Sequence, residues 1–291
     1  MGYTRPTSCT AEDLSAVQYP KHGKTYTIIR HKFLIDAARS ILKTHGFNIK
    51  NEEYRSTANG SIAQGTYQIE SNKDSELGMM FAWSNSYDKS TRFQCGIGAY
   101  VMVCDNGMVC GDMASYARKH TGNADKEAFN HIMSQVKQGD KHFTQLIKDR
   151  NGFKNCKLDK KEQSELVGRL FIDEDLIDST QVSCIKNEMK DPSYNYGVHP
   201  HTAWAFYNHV THALKKSHPR SWMSDQQKFH QFMISELVST SQLKPNDSGN
   251  VHIKDHEPDF SIELPDGRII DELDAAEPMN ELNDWDGEHF V

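Results

Sequence analysis

Asn85, Asp88, Cys104 and Asn106 are the residues of this chain whose types and spacing come nearest to a reactive set. They close extended apolar runs, in Asn85-Ser-Tyr-Asp88 and Cys104-Asp-Asn-Gly107, where polar groups at strand ends often converge on a ligand. A thiol with a carboxylate and two amides supports an enzyme reading in which Cys104 is the group to test. The same residues have a structural reading. Asp105-Asn106-Gly107 after a long apolar strand is turn chemistry, because Asn and Gly accept positive φ and send the chain back as a second strand.

Other candidates are incomplete. Cys104 and Cys110 precede His120, but no further Cys/His pair supplies four zinc ligands. His201, His209 and His212 fall on one expected helix, without the glutamate of a zinc-protease motif or an evident third ligand. Gly96 and Gly98 form a Gly-x-Gly that opens no helix, so a sheet bend or close backbone approach explains them better than a dinucleotide loop. There is no phosphate-loop lysine and no Gly-x-Ser-x-Gly elbow. No cofactor and no metal are expected. Trp204, Tyr207, Asn208 and Thr211 share one side of a helix at i, i+3, i+4, i+7 spacing, which predicts packing on a sheet with Asn208 seeking a buried hydrogen bond.

The elements that hold these residues predict an α+β chain. Residues 1–23 read as an arm. Residues 24–122 read as a β-rich core with one early helix: a strand over Lys24–Arg30, a helix over His31–His45, then short extended runs from Phe47 to Met108. Residues 123–246 read as a helical domain with helices over Lys126–Asp149, Asp159–Phe171, Thr180–Met189, His201–Lys216 and Asp225–Thr240. Residues 247–291 read as an acidic extension carrying a β-hairpin around Pro265-Asp-Gly267.

Charge is split along the chain. Asp247 to Val291 holds 14 of the 40 carboxylates and two of the 33 Lys and Arg, about −12, which leaves about +5 on residues 1–246. Asymmetry of this kind points to an interaction surface more than to a catalytic pocket, with Asp271, Glu272, Asp274, Asp284 and Asp286 as the interaction tail. Hydrophobic content of 37% with a mean hydropathy of −0.71 describes a very hydrophilic folded protein. No run of 18 apolar residues occurs, and the start shows neither a secretory stretch nor the Ser or Thr of an acylation signal, Pro6 standing in its place. Membrane spanning and export are therefore not expected.

The run NSYDKSTRFQCGIGAYVMVCDNGMV, with the later TAWAFYNHVTHAL, resembles a large phage and plasmid-like family of unknown function. The positions that carry the likeness are Asn85, Asp88, Arg92, Gly98, Ala99, Tyr100, Cys104, Asn106, Gly107, Met108, Trp204, Tyr207, Asn208 and Thr211, over roughly residues 24–240. In size, charge split and hydrophilicity the chain also resembles phage-encoded Gabija anti-defence inhibitors. That resemblance implies a homo-oligomer in the host cytoplasm that wraps a bacterial nuclease/NTPase complex and blocks its access to DNA, with no chemistry of its own and no direct nucleic-acid binding. Two other classes stay open: a nucleic-acid-binding accessory protein of a mobile element working through the basic body, and an enzyme using Asn85, Asp88, Cys104 and Asn106.

Overall fold

The computed structural model describes residues 7–20, 27–109, 123–239, 261–263 and 269–271. By internal contacts the chain divides into two compact units, Met1–Ser248 and Gly249–Val291. In the first, six strands form one antiparallel sheet: β1 (Thr7–Cys9), β2 (Ile49–Ser56), β3 (Ile62–Ile69), β4 (Leu77–Ser86), β5 (Gln94–Val101) and β6 (Asn106–Val109). Each strand pairs with the next in sequence. Among the described residues eight helices accompany them: α1 (Ala11–Ala16) and α2 (His31–Thr44) early, then α3 (Ala124–Lys137), α4 (Gly139–Asn155), α5 (Lys160–Ile172), α6 (Ser179–Glu188), α7 (Ala203–Leu214) and α8 (Trp222–Ser239). The fold is α+β, a β-rich N-terminal core followed by a helical region.

All ten residues of β4 are buried, because the sheet is covered on both faces. Gly139 of α4 packs against Ile97 on one face. On the other face Met80, Ala82 and Tyr100 form a cluster with Trp222 and Met223 of α8. Successive strand residues point to opposite faces, so a run apolar at every position requires a covering layer on each side. Gly98 shows a second demand of the sheet. A Cβ there would press into the Met108 carbonyl oxygen on β6, so the glycine permits close strand approach. Gly98→Ala is expected to lower stability by about 2–3 kcal/mol. Gly168→Ala, inside α5 with open space around it, is expected to raise stability by about 0.5–1 kcal/mol. Urea unfolding of both variants checks the opposite signs, and equal shifts would contradict this packing.

Two expectations are corrected. Thr27–Arg30 form no strand; Ile28 and Ile29 are buried side chains leading into α2, and Arg30 is its N-cap. Lys24–Tyr26 lie outside the described residues. The single helix expected over Lys126–Asp149 is two, broken at Gln138, which closes α3 and opens α4. The reason is the tight seat of Gly139, whose Cβ position lies 3.3 Å from Ile97. The arm also holds regular structure, since β1 is the edge strand beside β2 and Thr10 caps α1 through a reciprocal bond with Asp13.

In the second unit β7 (Ser261–Glu263) and β8 (Ile269–Asp271) pair antiparallel as the expected hairpin. Asp271 closes β8. Glu272, Asp274, Asp284 and Asp286 lie outside the described residues.

Candidate functional site

The antiparallel meander separates the residues that the enzyme reading needs together. Asn85 is the last residue but one of β4, whereas Asn106 opens β6 and pairs with Val101, which pairs in turn with Leu77 at the start of β4. At about 3.3 Å per residue this sets Asn85 and Asn106 roughly 25 Å apart along the strand direction. The expected convergence of Asn85, Asp88 and Asn106 is thus corrected by strand order.

At its own end Asn85 is fully buried. Its Nδ2 donates to the Ile29 carbonyl at 2.8 Å and lies 3.2 Å from His31 Nδ1, while His31 Nε2 is 3.0 Å from the Gly60 carbonyl. A carbonyl accepts only, so Nε2 carries the proton and Nδ1 receives Asn85. The His31 ring stacks on Tyr87 at 3.9 Å, and the Tyr87 hydroxyl accepts the His31 backbone N–H at 2.7 Å. Asn85 therefore ties the start of α2 to the sheet. Asp88 turns to the backbone of Ser90 in an exposed loop, and Arg92 is exposed.

The other motif residues do meet. Asn106 Nδ2 donates to the backbone carbonyl of Asn208 at 3.0 Å and to its Oδ1 at 3.2 Å. Asn208 Nδ2 donates to the Trp204 carbonyl at 2.9 Å, and the Cys104 thiol lies 3.9 Å from Asn208 Oδ1. Lys215 Nζ donates to the Cys104 carbonyl, and Thr211 Oγ1 to that of Tyr207 at 2.9 Å. Asp105 takes a positive φ of 53° in the turn, and Gly107 leaves room for the Trp222 ring, which a Cβ there would meet at 3.0 Å. Tyr100 lies over Gly78. The motif thus clamps the β5–β6 turn onto the middle of α7.

Tyr207 continues the network inward. Its hydroxyl is 3.1 Å from His230 Nδ1, His230 Nε2 is 3.1 Å from Asp149 Oδ2, and Gln145 donates to Asp149 Oδ1 at 2.7 Å. A histidine between a carboxylate and a hydroxyl is the arrangement of an activated nucleophile. Here the hydroxyl is fully buried beneath Trp204, Phe153 and Phe229, with ring centroids 4.9–5.6 Å from Tyr207, so no substrate reaches it. The relay joins α4, α7 and α8. Asp149 and His230 escaped the sequence reading; the available signal was the polar set Gln226, Gln227 and His230 among the buried residues of α8.

Beside the clamp lies a second group, in which His209 meets Glu188 and Tyr196, two residues that sequence reasoning missed. Glu188 accepts from the Ser193 backbone N–H at 3.1 Å and from its hydroxyl, which fastens the segment after α6. His209 is buried, 5.9 Å from the Tyr196 ring, and burial pushes its imidazole down to about 4 against the raising influence of Glu188. Burial likewise pushes the Cys104 thiol up to about 11. At neutral pH Cys104 is a protonated thiol, the opposite of an activated nucleophile.

Of the three expected helical histidines, His201 stands on the turn before α7, while His209 and His212 face Glu188, the latter at 3.7 Å. Among the described residues no group of three or more His, Cys, Asp or Glu is placed to hold a metal ion. Cys110 and His120 lie outside the described residues. No helix among the described residues is long and apolar enough to cross a membrane.

Neither a curated protein nor a solved structure matches the chain. A family model matches residues 20–249, the same span that holds both motif segments and stops where the acidic extension begins. The chain belongs to the family described as Domain of unknown function (DUF932).

Proposed function

We propose that this protein is a phage-encoded anti-defence protein that acts by occupying another macromolecule in the host cytoplasm, with a bacterial immune complex as its partner. The observation that carries this reading is the burial of the motif. Asn85, Asn106, Trp204, Tyr207, Asn208 and Thr211 are at most 1% exposed, and the amide N–H groups of Asn85, Asn106 and Asn208 and the hydroxyls of Tyr207 and Thr211 are bonded within the fold. Residues so engaged support a scaffold. What remains to contact a partner is the surface, whose marked feature is the charge split between residues 1–246 and 247–291.

A nuclease/NTPase complex of the Gabija type fits this polarity. Such an enzyme needs a basic surface for phosphates, and a segment of about −12 competes for it and speeds encounter. Several copies around one target would add weak polar contacts into a durable block.

The test is to mix purified protein with the Gabija nuclease/NTPase complex and measure mass and DNA cleavage. A multi-copy complex and lost cleavage are expected. Neutralising Asp271, Glu272, Asp274, Asp284 and Asp286 as amides should slow association about tenfold or more at low salt. Unchanged masses with full cleavage would refute the reading. A salt-sensitive shift of DNA by the protein alone, without inhibition, would favour the nucleic-acid accessory reading, which the +5 body supports.

A further inference from the structure

A groove of about 1260 Å³ opens between the α5–α6 connection, the start of α6 and the link from α7 to α8. Arg55 of β2 lies on its floor and donates from its two terminal nitrogens to the carbonyls of Lys215 and Ser217, at 3.0 and 2.9 Å. Lys215 is the C-cap of α7 and Ser217 follows it, so the guanidinium meets partial negative charges at and just past the helix end in place of a full one. Lys215 Nζ donates to a carbonyl as well, and Lys216 is exposed at the rim. Among the described residues none of these three cations has a carboxylate within ion-pair distance.

That is unusual for Arg55, which is only partly exposed, because a cation drawn out of water is ordinarily matched by an anion. The acids that line the groove do not match it. Asp178 turns to the Gln181 N–H at 2.8 Å as the cap of α6, Asp175 is exposed, and Asp225 is pushed up by burial despite hydrogen bonds from Ser221 and Ser217. The surroundings agree in sign. Burial, Arg220 and Arg55 hold His218 below its ordinary value, with Asp88 opposing. The lining also holds apolar groups: Leu176 and Ile177 are buried, and Phe171 is 41% exposed at the groove. Cations and an exposed aromatic ring lining one groove are the two kinds of group that a phosphorylated ring compound needs.

We propose that this groove binds a nucleoside phosphate, its phosphates on Arg55 and Lys216 and its base on Phe171. The proposal stands apart from the partner reading, since it uses neither the acidic extension nor a second protein. The direct test is calorimetric titration of the full chain with ATP, GTP, CTP and UTP, and with pyrophosphate and adenosine as the separate halves. At least one triphosphate should bind, more tightly than either half. Lys216→Glu, which alters an exposed side chain, should weaken it about tenfold or more, and Phe171→Ala should weaken the triphosphate but not pyrophosphate. Arg55→Gln should do as Lys216→Glu does, with its unfolding curve recorded because Arg55 also holds the end of α7. No heat from any triphosphate at millimolar concentration would overturn the proposal. Equal affinity for pyrophosphate, or unchanged affinity in Lys216→Glu, would overturn it as well.

Discussion

Arg150→Ala is expected to remove about 3–5 kcal/mol of stability. Arg150 projects from α4 with its side chain 6% exposed. It meets Asp74 Oδ2 at 2.5 Å and Glu76 Oε2 at 2.9 Å, and Lys154 meets the other Glu76 oxygen at 2.6 Å. Asp74 Oδ1 also accepts the backbone N–H groups of Glu76 and Leu77, each at 2.8 Å, which sets the entry to β4. Removing the guanidinium leaves the Asp74 carboxylate, its side chain 11% exposed, beside amides alone, and that uncompensated charge is the main cost. Asp74→Asn keeps the amide acceptor without the charge, so in a double-mutant cycle Arg150→Ala should cost much less in that background. Urea unfolding measures each corner. A loss under about 1 kcal/mol for Arg150→Ala would show that water reaches the pair. The same network has a pH signature. Burial raises Asp74, but Arg150 and the two backbone amides outweigh it and hold the carboxyl below its ordinary 3.8. Its contribution is therefore present above that value and is lost as the pH falls through the lower folded one.

Stability should already decline at milder acidity because of His209. The folded protein binds a proton at His209 only near pH 4, whereas the unfolded chain does so near 6.5. Between these values the unfolded state holds the extra proton, so stability falls as pH falls across this window. The span corresponds to on the order of 3 kcal/mol from this one residue. His131, His212 and His218 are also lowered chiefly by burial and add in the same direction. Desolvation of the charged ring dominates at His209, with Glu188 opposing and His212 assisting. His209→Gln, which cannot titrate, should flatten the profile by about one proton between pH 6.5 and 4. Chemical denaturation at half-unit pH steps reads the slope. A wild-type profile level from pH 7 to 4.5 would mean that His209 gains a hydrated proton without disturbing its surroundings.

Local pattern was a sound guide wherever one element decides its own form. The apolar spacing of Leu34, Ala37, Ala38, Ile41 and Leu42 specifies α2, and Gly46 with a positive φ of 76° stops it. Asp105-Asn106-Gly107 specifies the return of the chain into β6, and the both-faces apolar run of β5 specifies a covered strand. The same logic failed at Thr27–Arg30, where Ile28 and Ile29 are buried outside any strand. It failed again at Gln138, where a helix breaks so that Gly139 can lie against Ile97.

Residue types and periodicities by themselves determined the α+β class, most element positions, the hairpin at residues 261–271 and the charge split. Only the tertiary structure decided which polar residues meet. Asn106 finds Asn208 across 102 positions, Arg150 finds Asp74 across 76, and His230 finds Asp149 across 81. Asn85 and Asn106, only 21 positions apart, are driven to opposite ends of the sheet. Periodicity reports which face of an element is apolar. It carries no record of which other face will cover it, because that choice follows from strand order and from helices packing over long chain separations.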